Sequence, residues 1–349
     1  MKKIFLFALL FSTVSSLSLA DYAKGLDAFQ HGDYMTTEAE LRGCLAEKDP
    51  RCQYLTAFMY YHGLTGIQSY DKAFALFSEA TEQGNTDSRT FLGYMYDEGK
   101  GVKKDKKKAF ELYQISSEEG DVTATMNLGV LYYRGEGVPQ NYDKAFELMS
   151  SIEEAKHPVL QFYLGNLYFY GYGTSKNMSR AVQCYKRSAQ LASIEAHYVL
   201  GHLYQNGIGV DTDLQKAREY YEYAAVRGFA LAQYNLATMY ADGQLGEVNK
   251  PLAYAWLEEA ANNDLEKAKE ALALLSETMS ATEISDAKKE GVSLSKRVAN
   301  KDAASPVELE AGYTITGRTT VKAKQQEEQA SGGGFGARPV RSSRMIRRR

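Results

Sequence analysis

The sequence is short of the residues on which catalytic and metal sites usually depend. Its 349 residues include six prolines, three cysteines and five histidines. The histidines are His31, His62, His157, His197 and His202. No His-Glu-x-x-His, Cys-x-x-Cys, P-loop or Gly-x-Ser-x-Gly motif is present, so we predict no metal site, no cofactor and no catalytic residue. The scarcity of proline beside 26 tyrosines favours long helices rich in aromatic side chains.

Long hydrophobic runs are also lacking. Residues 4–14 are apolar but too short to span a bilayer. They follow Lys2 and Lys3 and precede Ser18-Leu19-Ala20, a small-x-small cleavage site. We therefore predict a signal peptide over residues 1–20, cleaved after Ala20, and a periplasmic or secreted protein. An uncleaved amphipathic helix is the alternative. No cysteine lies at the cleavage site, so a lipid anchor is not predicted there.

The charges are unevenly distributed. The formal net charge is −3, yet Arg318–Arg349 contains nine Lys or Arg and two Glu, a net charge of +7. The rest of the chain therefore carries −10. The basic segment could contact an anionic lipid or lipopolysaccharide surface, stay solvated, or fold back on the acidic part. Export argues against a nucleic-acid partner.

One motif recurs at a constant interval. The frame Leu-Gly-x-x-Tyr-x-x-Gly occurs at 92–99, 128–135, 164–171 and 200–207, with variants at 56–63 and 236–243. The closing glycines are 36 residues apart: Gly63, Gly99, Gly135, Gly171, Gly207 and Gly243. An alanine keeps the same offset: Ala73, Ala109, Ala145, Ala181, Ala217 and Ala253. Two markers that stay in phase over six copies indicate a repeat protein.

Each repeat predicts two helices. The Leu, Gly and Tyr of the frame share one face of a first helix. The glycine lets the second helix approach, and the frame's tyrosine is expected to cover the gap. Loop glycines end the first helix, and Asp105 and Asp213 are placed to cap the second. One pair cannot bury its apolar stripe alone, so the predicted fold is all-α, a right-handed superhelical solenoid of antiparallel helix pairs.

The extended pattern Leu-Gly-x-x-Tyr-x-x-Gly-x-Gly-Val-x-x-Asp-x-x-Lys-Ala resembles the Sel-like repeat of the tetratricopeptide-repeat superfamily, in its exported bacterial type. The resemblance covers residues 49–264 as six 36-residue repeats. Copies four and six depart from it, because Gly173-Thr174 replaces Gly-Val and Gln244-Leu245-Gly246 shifts the second loop glycine. The resemblance implies that the chain holds another molecule rather than catalysing a reaction.

The segments outside the repeats have different predicted roles. Residues 21–48 look like a tetratricopeptide-type capping helix pair whose second helix starts at Glu38. Residues 265–300 are predicted to be C-terminal capping helices, the last opened by the capping box Ser280-Ala281-Thr282-Glu283. Residues 301–349, rich in Gly and Arg, are predicted to be disordered.

Cys44 and Cys52 lie eight residues apart across the turn between the capping pair and the first repeat. Consecutive antiparallel helices would bring them together, and an oxidising compartment favours a disulfide. A metal site is the alternative, but no further ligands lie nearby. The spacing is also similar to that in cysteine-rich bacterial relatives, in which such pairs link adjacent repeats. Cys184 has no sequence partner and is predicted to be a buried free thiol.

In tetratricopeptide folds the first helices line a concave groove, and the resemblance implies groove-facing positions here. They are Tyr54, Phe58, Tyr61, Tyr94, Asp97, Met126, Tyr133, Phe162, Asn166, Phe169, Tyr198, His202, Gln205 and Tyr234. A groove with this many aromatic side chains could bind an extended peptide, a partner helix or a sugar chain. The alternative is that these side chains only pack the repeats together.

Three functions follow from these features. The first is a non-catalytic scaffold or adaptor of the bacterial cell envelope that binds a peptide or protein in the groove. The second is the binding of an envelope glycan, either peptidoglycan or exopolysaccharide. The third is β-lactam binding or hydrolysis, to which cysteine-rich relatives are linked. No Ser-x-x-Lys nucleophile in a fitting fold supports the third, so the first is favoured.

Overall fold

A computed structural model describes residues 16–289 and residue 291, and this part of the chain is helical without a strand. The helices are α1 Ser16–Gln30, α2 Tyr34–Glu40, α3 Arg42–Ala46, α4 Pro50–His62, α5 Tyr70–Glu82, α6 Thr86–Glu98, α7 Lys106–Glu118, α8 Val122–Arg134, α9 Tyr142–Ser151, α10 Pro158–Tyr170, α11 Met178–Gln190, α12 Ile194–Asn206, α13 Leu214–Ala225, α14 Ala230–Ala241, α15 Lys250–Asn262 and α16 Glu266–Glu277. Residues 281–289 are also helical. The first fifteen residues of the predicted signal peptide and the predicted disordered segment 301–349 lie outside the described residues.

The described residues form two compact units, divided between Leu148 and Met149 inside α9. In unit 1, each helix from α4 to α8 packs against the next along the chain. In unit 2 the same is true from α10 to α16. This sequential packing of helix pairs is the arrangement by which solenoid repeats cover one another's apolar faces.

The ends of each helix pair are set by local side-chain and backbone chemistry. Helix α6 ends at Gly99, whose φ of 71° is left-handed and favours glycine. Helices α4, α8, α10 and α12 end in the same way. Asp105 then accepts the backbone N–H groups of Lys107 and Lys108, and Asp213 accepts that of Lys216. The caps predicted at Asp105 and Asp213 are therefore confirmed.

The glycine of the first helix does allow close packing of the second helix, as predicted. A Cβ added to Gly165 would lie 2.5 Å from Cε1 of Tyr185, a fully buried residue of α11. Gly93 and Tyr113 have the same relationship, at 2.8 Å. The ring above the glycine thus comes from the second helix. The prediction that the frame's own tyrosine covers this gap is wrong.

The frame's tyrosine instead pairs with a cation from the start of the second helix. It lies three residues after the glycine, which turns it away from the second helix's buried face. In five successive repeats, the Lys or Arg twelve residues later lies over the ring, 4.9–5.4 Å from its centroid. These pairs are Tyr60–Lys72 at 4.9 Å, Tyr96–Lys108 at 4.9 Å, Tyr132–Lys144 at 5.1 Å, Tyr168–Arg180 at 5.2 Å and Tyr204–Lys216 at 5.4 Å. Such cation–π contacts stabilise the packing of the two helices within a pair.

The N-terminal helices differ in detail from the prediction. The second helix begins at Tyr34 rather than Glu38, because the Asp33 carboxylate accepts the Thr36 N–H (3.0 Å) and caps it. It is also interrupted at Leu41, so that α2 and α3 are separate helices.

The disulfide predicted between Cys44 and Cys52 is present, with a Cα–Cα distance of 6.1 Å. Both residues are fully buried, and the bond joins α3 to α4 across a turn in which Lys48 has a left-handed φ of 58°. Cys184 is a buried free thiol, as predicted, and burial raises its pKa to about 11.

Both ends of the described region carry contacts that bear on the predicted boundaries. Helix α1 runs across the predicted cleavage position after Ala20, and the buried Ser18 hydroxyl donates to Oδ2 of Asp49 (2.6 Å). Removal of residues 1–20 would take this bond away. At the other end, Ser280 and Glu283 bond each other's backbone N–H groups at 3.2 and 2.7 Å. The predicted capping box is confirmed.

Candidate binding face

The fourteen predicted groove residues divide into two groups by burial. Six are buried: Phe58, Tyr61, Met126, Tyr133, Asn166 and Tyr198. Eight are half-buried: Tyr54, Tyr94, Asp97, Phe162, Phe169, His202, Gln205 and Tyr234. The buried six serve the packing of the repeats, and the half-buried eight keep surface that a ligand could touch.

A more accessible row of side chains runs beside the predicted one on α6. Asp87 and Glu98 are exposed there, and Phe91 and Tyr94 are half-buried. These residues are spaced four, three and four apart, which places them along one face of the helix. Of these four residues, only Tyr94 was predicted from the sequence, because the predicted positions came from the groove-facing positions of the tetratricopeptide fold. The helical period applied to charged and aromatic residues alone would have found the other three.

Aromatic rings join α4 to α6 in unit 1. Phe91 contacts three rings of α4, with centroid distances of 5.5 Å to Phe58, 5.9 Å to Tyr54 and 6.2 Å to Tyr61. Tyr94 lies 6.1 Å from Tyr61. Edge-to-face contacts of this kind are favourable and fix the ring planes. We call these five residues the unit 1 aromatic cluster; it is a rigid surface that is half-buried at Tyr54, Phe91 and Tyr94.

His62 lies at the end of this cluster. Its ring centroid is 4.3 Å from that of Phe58 and 5.0 Å from that of Tyr61. Burial lowers the pKa of His62 to about 4, so the ring is neutral at physiological pH. The cluster therefore carries no positive charge from this histidine.

Two carboxylates border the same cluster. Asp87 lies in the first turn of α6, and Asp121 caps α8 by accepting the Ala124 N–H (2.6 Å). Burial raises the pKa of both, and the neighbouring Asp121 charge raises that of Asp87 further. The pKa of Tyr54 is raised by burial and then by Asp87. Within residues 16–289, neither carboxylate forms an ion pair, so this side of the cluster carries negative charge.

Asp97, which was predicted to face the groove, has a structural partner. Its carboxylate pairs with the Lys106 ammonium (2.5 Å), which also contacts Glu136 (2.7 Å). The three residues connect the end of α6, the start of α7 and the loop after α8. This network holds neighbouring repeats together, so Asp97 already has a structural partner.

Two predicted residues of unit 2 also have structural partners. Asn166 accepts the hydroxyl proton of the buried Tyr185 (2.8 Å). Gln205 accepts that of Tyr221 (2.9 Å) and donates to Gln244 (3.0 Å). A buried hydroxyl without a hydrogen-bond partner is energetically costly. These two amide groups therefore have a structural role as acceptors for buried tyrosine hydroxyls.

Neither a metal-ligand cluster nor a membrane-spanning helix is found in the described residues. No group of three or more His, Cys, Asp or Glu side chains within residues 16–289 is placed to hold a metal ion. In the same part of the chain, no helix has both the length and the apolar character needed to cross a bilayer. The arrangement can present flat rings and negative charge to a partner.

Paired helices, left-handed glycine ends and sequential packing define the protein as an α-helical repeat solenoid. The Sel1 repeat matches six successive segments: residues 50–85, 86–121, 122–156, 158–193, 194–229 and 230–265. The chain belongs to the Sel1 repeat family. The six predicted repeats are confirmed. Proteins of this family are generally protein–protein interaction scaffolds and are typically non-catalytic.

Solved structures show the same fold. A Sel1 repeat protein from Oxalobacter formigenes is 29% identical, with a TM-score of 0.61, over 69% of this chain and 96% of that one. The antigen c5321, a protective antigen of uropathogenic Escherichia coli with an SLR fold, is 25% identical with the same TM-score. That match covers 81% of this chain but 61% of the antigen, so the chain spans less than two thirds of the antigen's length. No curated protein matches the chain.

Proposed function

We propose that this protein is a non-catalytic scaffold of the bacterial cell envelope that holds a peptide or protein against its first helices. The observation that carries this proposal is the unit 1 aromatic cluster, half-buried at Tyr54, Phe91 and Tyr94 and bordered by Asp87. Interfaces are enriched in such rigid aromatic anchors, which lose little side-chain entropy when they bind.

The packing of the cluster supports binding in a fixed geometry. Phe91 stacks on Phe77 of α5 at 5.1 Å between centroids and 13° between ring planes. Phe77 is fully buried. The exposed ring edges are thus held by the core beneath them, which reduces the ordering cost that a partner would otherwise meet.

The envelope location rests on two features of the chain. Residues 1–20 have the composition of a signal peptide, and Cys44 and Cys52 are joined by a disulfide. Structural disulfides persist in the periplasm and outside the cell and are rare in reducing compartments. We therefore place the working protein in the periplasm or outside the cell.

Site-specific photo-crosslinking in the native host tests the scaffold proposal. A photoreactive phenylalanine analogue replaces Tyr94 in one variant and Ile115 in the control, which is an exposed side chain of the second helix α7. We expect an envelope protein to be crosslinked from position 94 and not from position 115. The crosslink from position 94 should be lost when Asp87→Lys is added. Equal crosslinking from both positions, or none from position 94, would contradict the proposal.

One observation favours the glycan alternative. Tyr170 and Tyr172 stack at 5.0 Å with 23° between their planes, and both are half-buried in unit 2. A flat aromatic pair can receive the apolar face of a sugar ring. This alternative predicts retention on insoluble peptidoglycan that falls at least tenfold in Tyr172→Ala and is unchanged in Tyr94→Ala. Equal retention of the two variants would rule it out.

A further inference from the structure

We propose that a pocket beside Tyr60 in unit 1 binds the side chain of a phenylalanine that a partner polypeptide presents. The pocket is lined by residues of α2, α3 and α4 and of the loop that follows α4. None of its lining residues belongs to the unit 1 aromatic cluster, so this inference goes beyond the proposed function and does not depend on it.

The pocket is small, largely apolar and open to solvent. Its volume is about 80 Å³. Among its lining residues, Met59 is buried, Leu45 is half-buried and Arg42 is exposed. A cavity of roughly 150 Å³ encloses a whole benzene molecule, so this pocket can take part of a phenyl ring while the rest stays at the opening. Aromatic side chains that enter well-packed pockets carry much of the binding energy of protein interfaces.

The next two repeats show which side chain lies at this place in the fold. Tyr96 and Tyr132 occupy the position of Tyr60 in the second and third repeats. Phe74, from the preceding second helix, lies 5.6 Å from Tyr96 between ring centroids, with 80° between the ring planes. Phe110 lies 5.4 Å from Tyr132, with 86° between the planes. Each of these tyrosines therefore has a phenylalanine ring in edge-to-face contact, in addition to its lysine.

The N-terminal capping helices supply no such ring to Tyr60. Glu38 stands 36 residues before Phe74, in the same position of its helix. Glu38 and Tyr60 line the pocket together. Within the described residues, Tyr60 has the Lys72 ammonium over its ring but no second ring against it. The pocket therefore lies where a phenylalanine packs in the two repeats that follow, which identifies a phenyl ring as the group that fits it.

The loop after α4 differs from that of the second repeat in a way that leaves the pocket open. In the second repeat, a Cβ added to Gly101 would lie 2.5 Å from the carbonyl oxygen of Tyr70, at the start of α5. Thr65 holds the corresponding position in the first repeat and carries a Cβ, so the loop there cannot approach α2 as closely. A Cβ added to Gly66 would meet no atom within 4 Å. The loop thus leaves space beside Thr65, which lines the pocket.

Two charged side chains at the pocket are available to the partner. Glu38 and Arg42 are four residues apart, and neither forms an ion pair in the part of the chain that the structure describes. Glu38 is half-buried and Arg42 is exposed. Opposite charges on either side of the partner's phenylalanine would pair with them and set the direction in which the partner lies.

Fluorine NMR with a small probe tests the proposal on the full-length protein. The probe is the N-acetyl amide of para-fluorophenylalanine, whose fluorine signal broadens when it is bound. A ligand of this size should bind with a dissociation constant in the millimolar range, roughly. We expect N-acetylphenylalanine amide to displace the probe at least fivefold better than N-acetyl-leucine amide, because only the former brings a ring to Tyr60.

Two variants alter the pocket. Glu38→Phe places a ring where Phe74 lies in the next repeat, so it should weaken probe binding at least tenfold and raise the midpoint of thermal unfolding by roughly 2–4 °C. Tyr60→Leu keeps an apolar wall but removes the edge-to-face partner, and should weaken binding at least threefold. The control Ala39→Phe adds the same ring at an exposed position of α2 outside the pocket and should leave binding unchanged. Circular dichroism checks that all variants are folded.

Two results would overturn the proposal. If the probe does not bind, or if N-acetyl-leucine amide displaces it as readily as N-acetylphenylalanine amide, the pocket does not select a ring. If Glu38→Phe and Tyr60→Leu bind the probe as tightly as the Ala39→Phe control, the probe binds elsewhere on the chain. Neither result affects crosslinking from position 94, so this proposal and the scaffold proposal fail separately.

Discussion

Tyr221 packs against Gly201 so closely that a Cβ added to the glycine would lie 2.6 Å from the ring's Cδ1. The Tyr221 ring is fully buried, and its hydroxyl donates to Gln205 on the first-helix face. One residue pair therefore fixes both the distance between the two helices of the repeat and the position of a side chain at the candidate binding face.

Gly201→Ala should destabilise the protein. The added methyl forces the ring to move, at a cost of roughly 1–3 kcal/mol, while the better helix propensity of alanine returns up to about 1 kcal/mol. Urea unfolding followed by circular dichroism measures the difference. The sixth repeat has Ala237 and Leu257 at the corresponding positions, so in a Tyr221→Leu background the same substitution should cost less than about 0.5 kcal/mol. An equal cost in both backgrounds would mean that the ring is not the source.

The disulfide should contribute measurably to stability. Replacing Cys44 and Cys52 with Ala should lower the free energy of unfolding by about 2–3 kcal/mol, because the closed loop is short and the unfolded chain regains its freedom. Denaturant unfolding with and without a reducing agent checks this. Reduction should destabilise the unaltered chain by a similar amount and leave the double variant unchanged; a reductant effect on the double variant would point to another cause.

His157 should make the stability depend on pH. It caps α10 by accepting the Val159 N–H at Nδ1 (3.2 Å), and burial lowers its pKa to about 4. Its ordinary pKa is near 6.5, so the unfolded chain takes up a proton first as the pH falls. The contribution of neutral His157 to the free energy of unfolding is therefore complete above pH about 6.5. It is lost progressively as the pH falls towards about 4, by roughly 3 kcal/mol in all.

The His157→Asn variant tests this source of pH dependence. Asn85, Asp121 and Ser193 cap the first helices of other repeats, so Asn should preserve the cap at position 157. Between pH 7.5 and pH 4.5, measured by urea unfolding, the variant should lose about 2 kcal/mol less stability than the unaltered chain. The low pKa of His62 also lowers stability as the pH falls, but it does so equally in the variant and in the unaltered chain. Identical losses would show that His157 does not titrate in this window.

The stabilisation that Asp105 gives as a helix cap should not depend on its negative charge. Its carboxylate accepts the N–H groups of Lys107 and Lys108 at 3.1 and 3.0 Å, and the residue is exposed. Asp105→Ala should lower the free energy of unfolding by about 1 kcal/mol, whereas Asp105→Asn should cost only a few tenths of a kcal/mol, roughly, because Asn also caps. Thermal unfolding compares the two. A large loss in both variants would indicate that the charge, rather than the cap, is required.

Some of the candidate site could be predicted from the sequence and some could not. The half-buried Tyr54 and Tyr94 were found through the family's groove rule, since they occupy fixed positions in the repeat. Asp97 and Gln205 occupy another such position, but their side chains are bonded to Lys106 and Tyr221. Repeat position alone does not say which polar groups a neighbouring repeat already uses.

The sequence by itself determined the repeat length, the two helices of each repeat, their caps and the disulfide pairing, because each depends on residues close together in the chain. Only the tertiary structure decided that Phe58 is buried against Phe91, that a second-helix tyrosine lies over Gly93, Gly165 and Gly201, and that Asp97 is already paired with Lys106. The physical reason is that burial and pairing depend on the residue of the neighbouring helix that fills each space, and that residue varies from one repeat to the next.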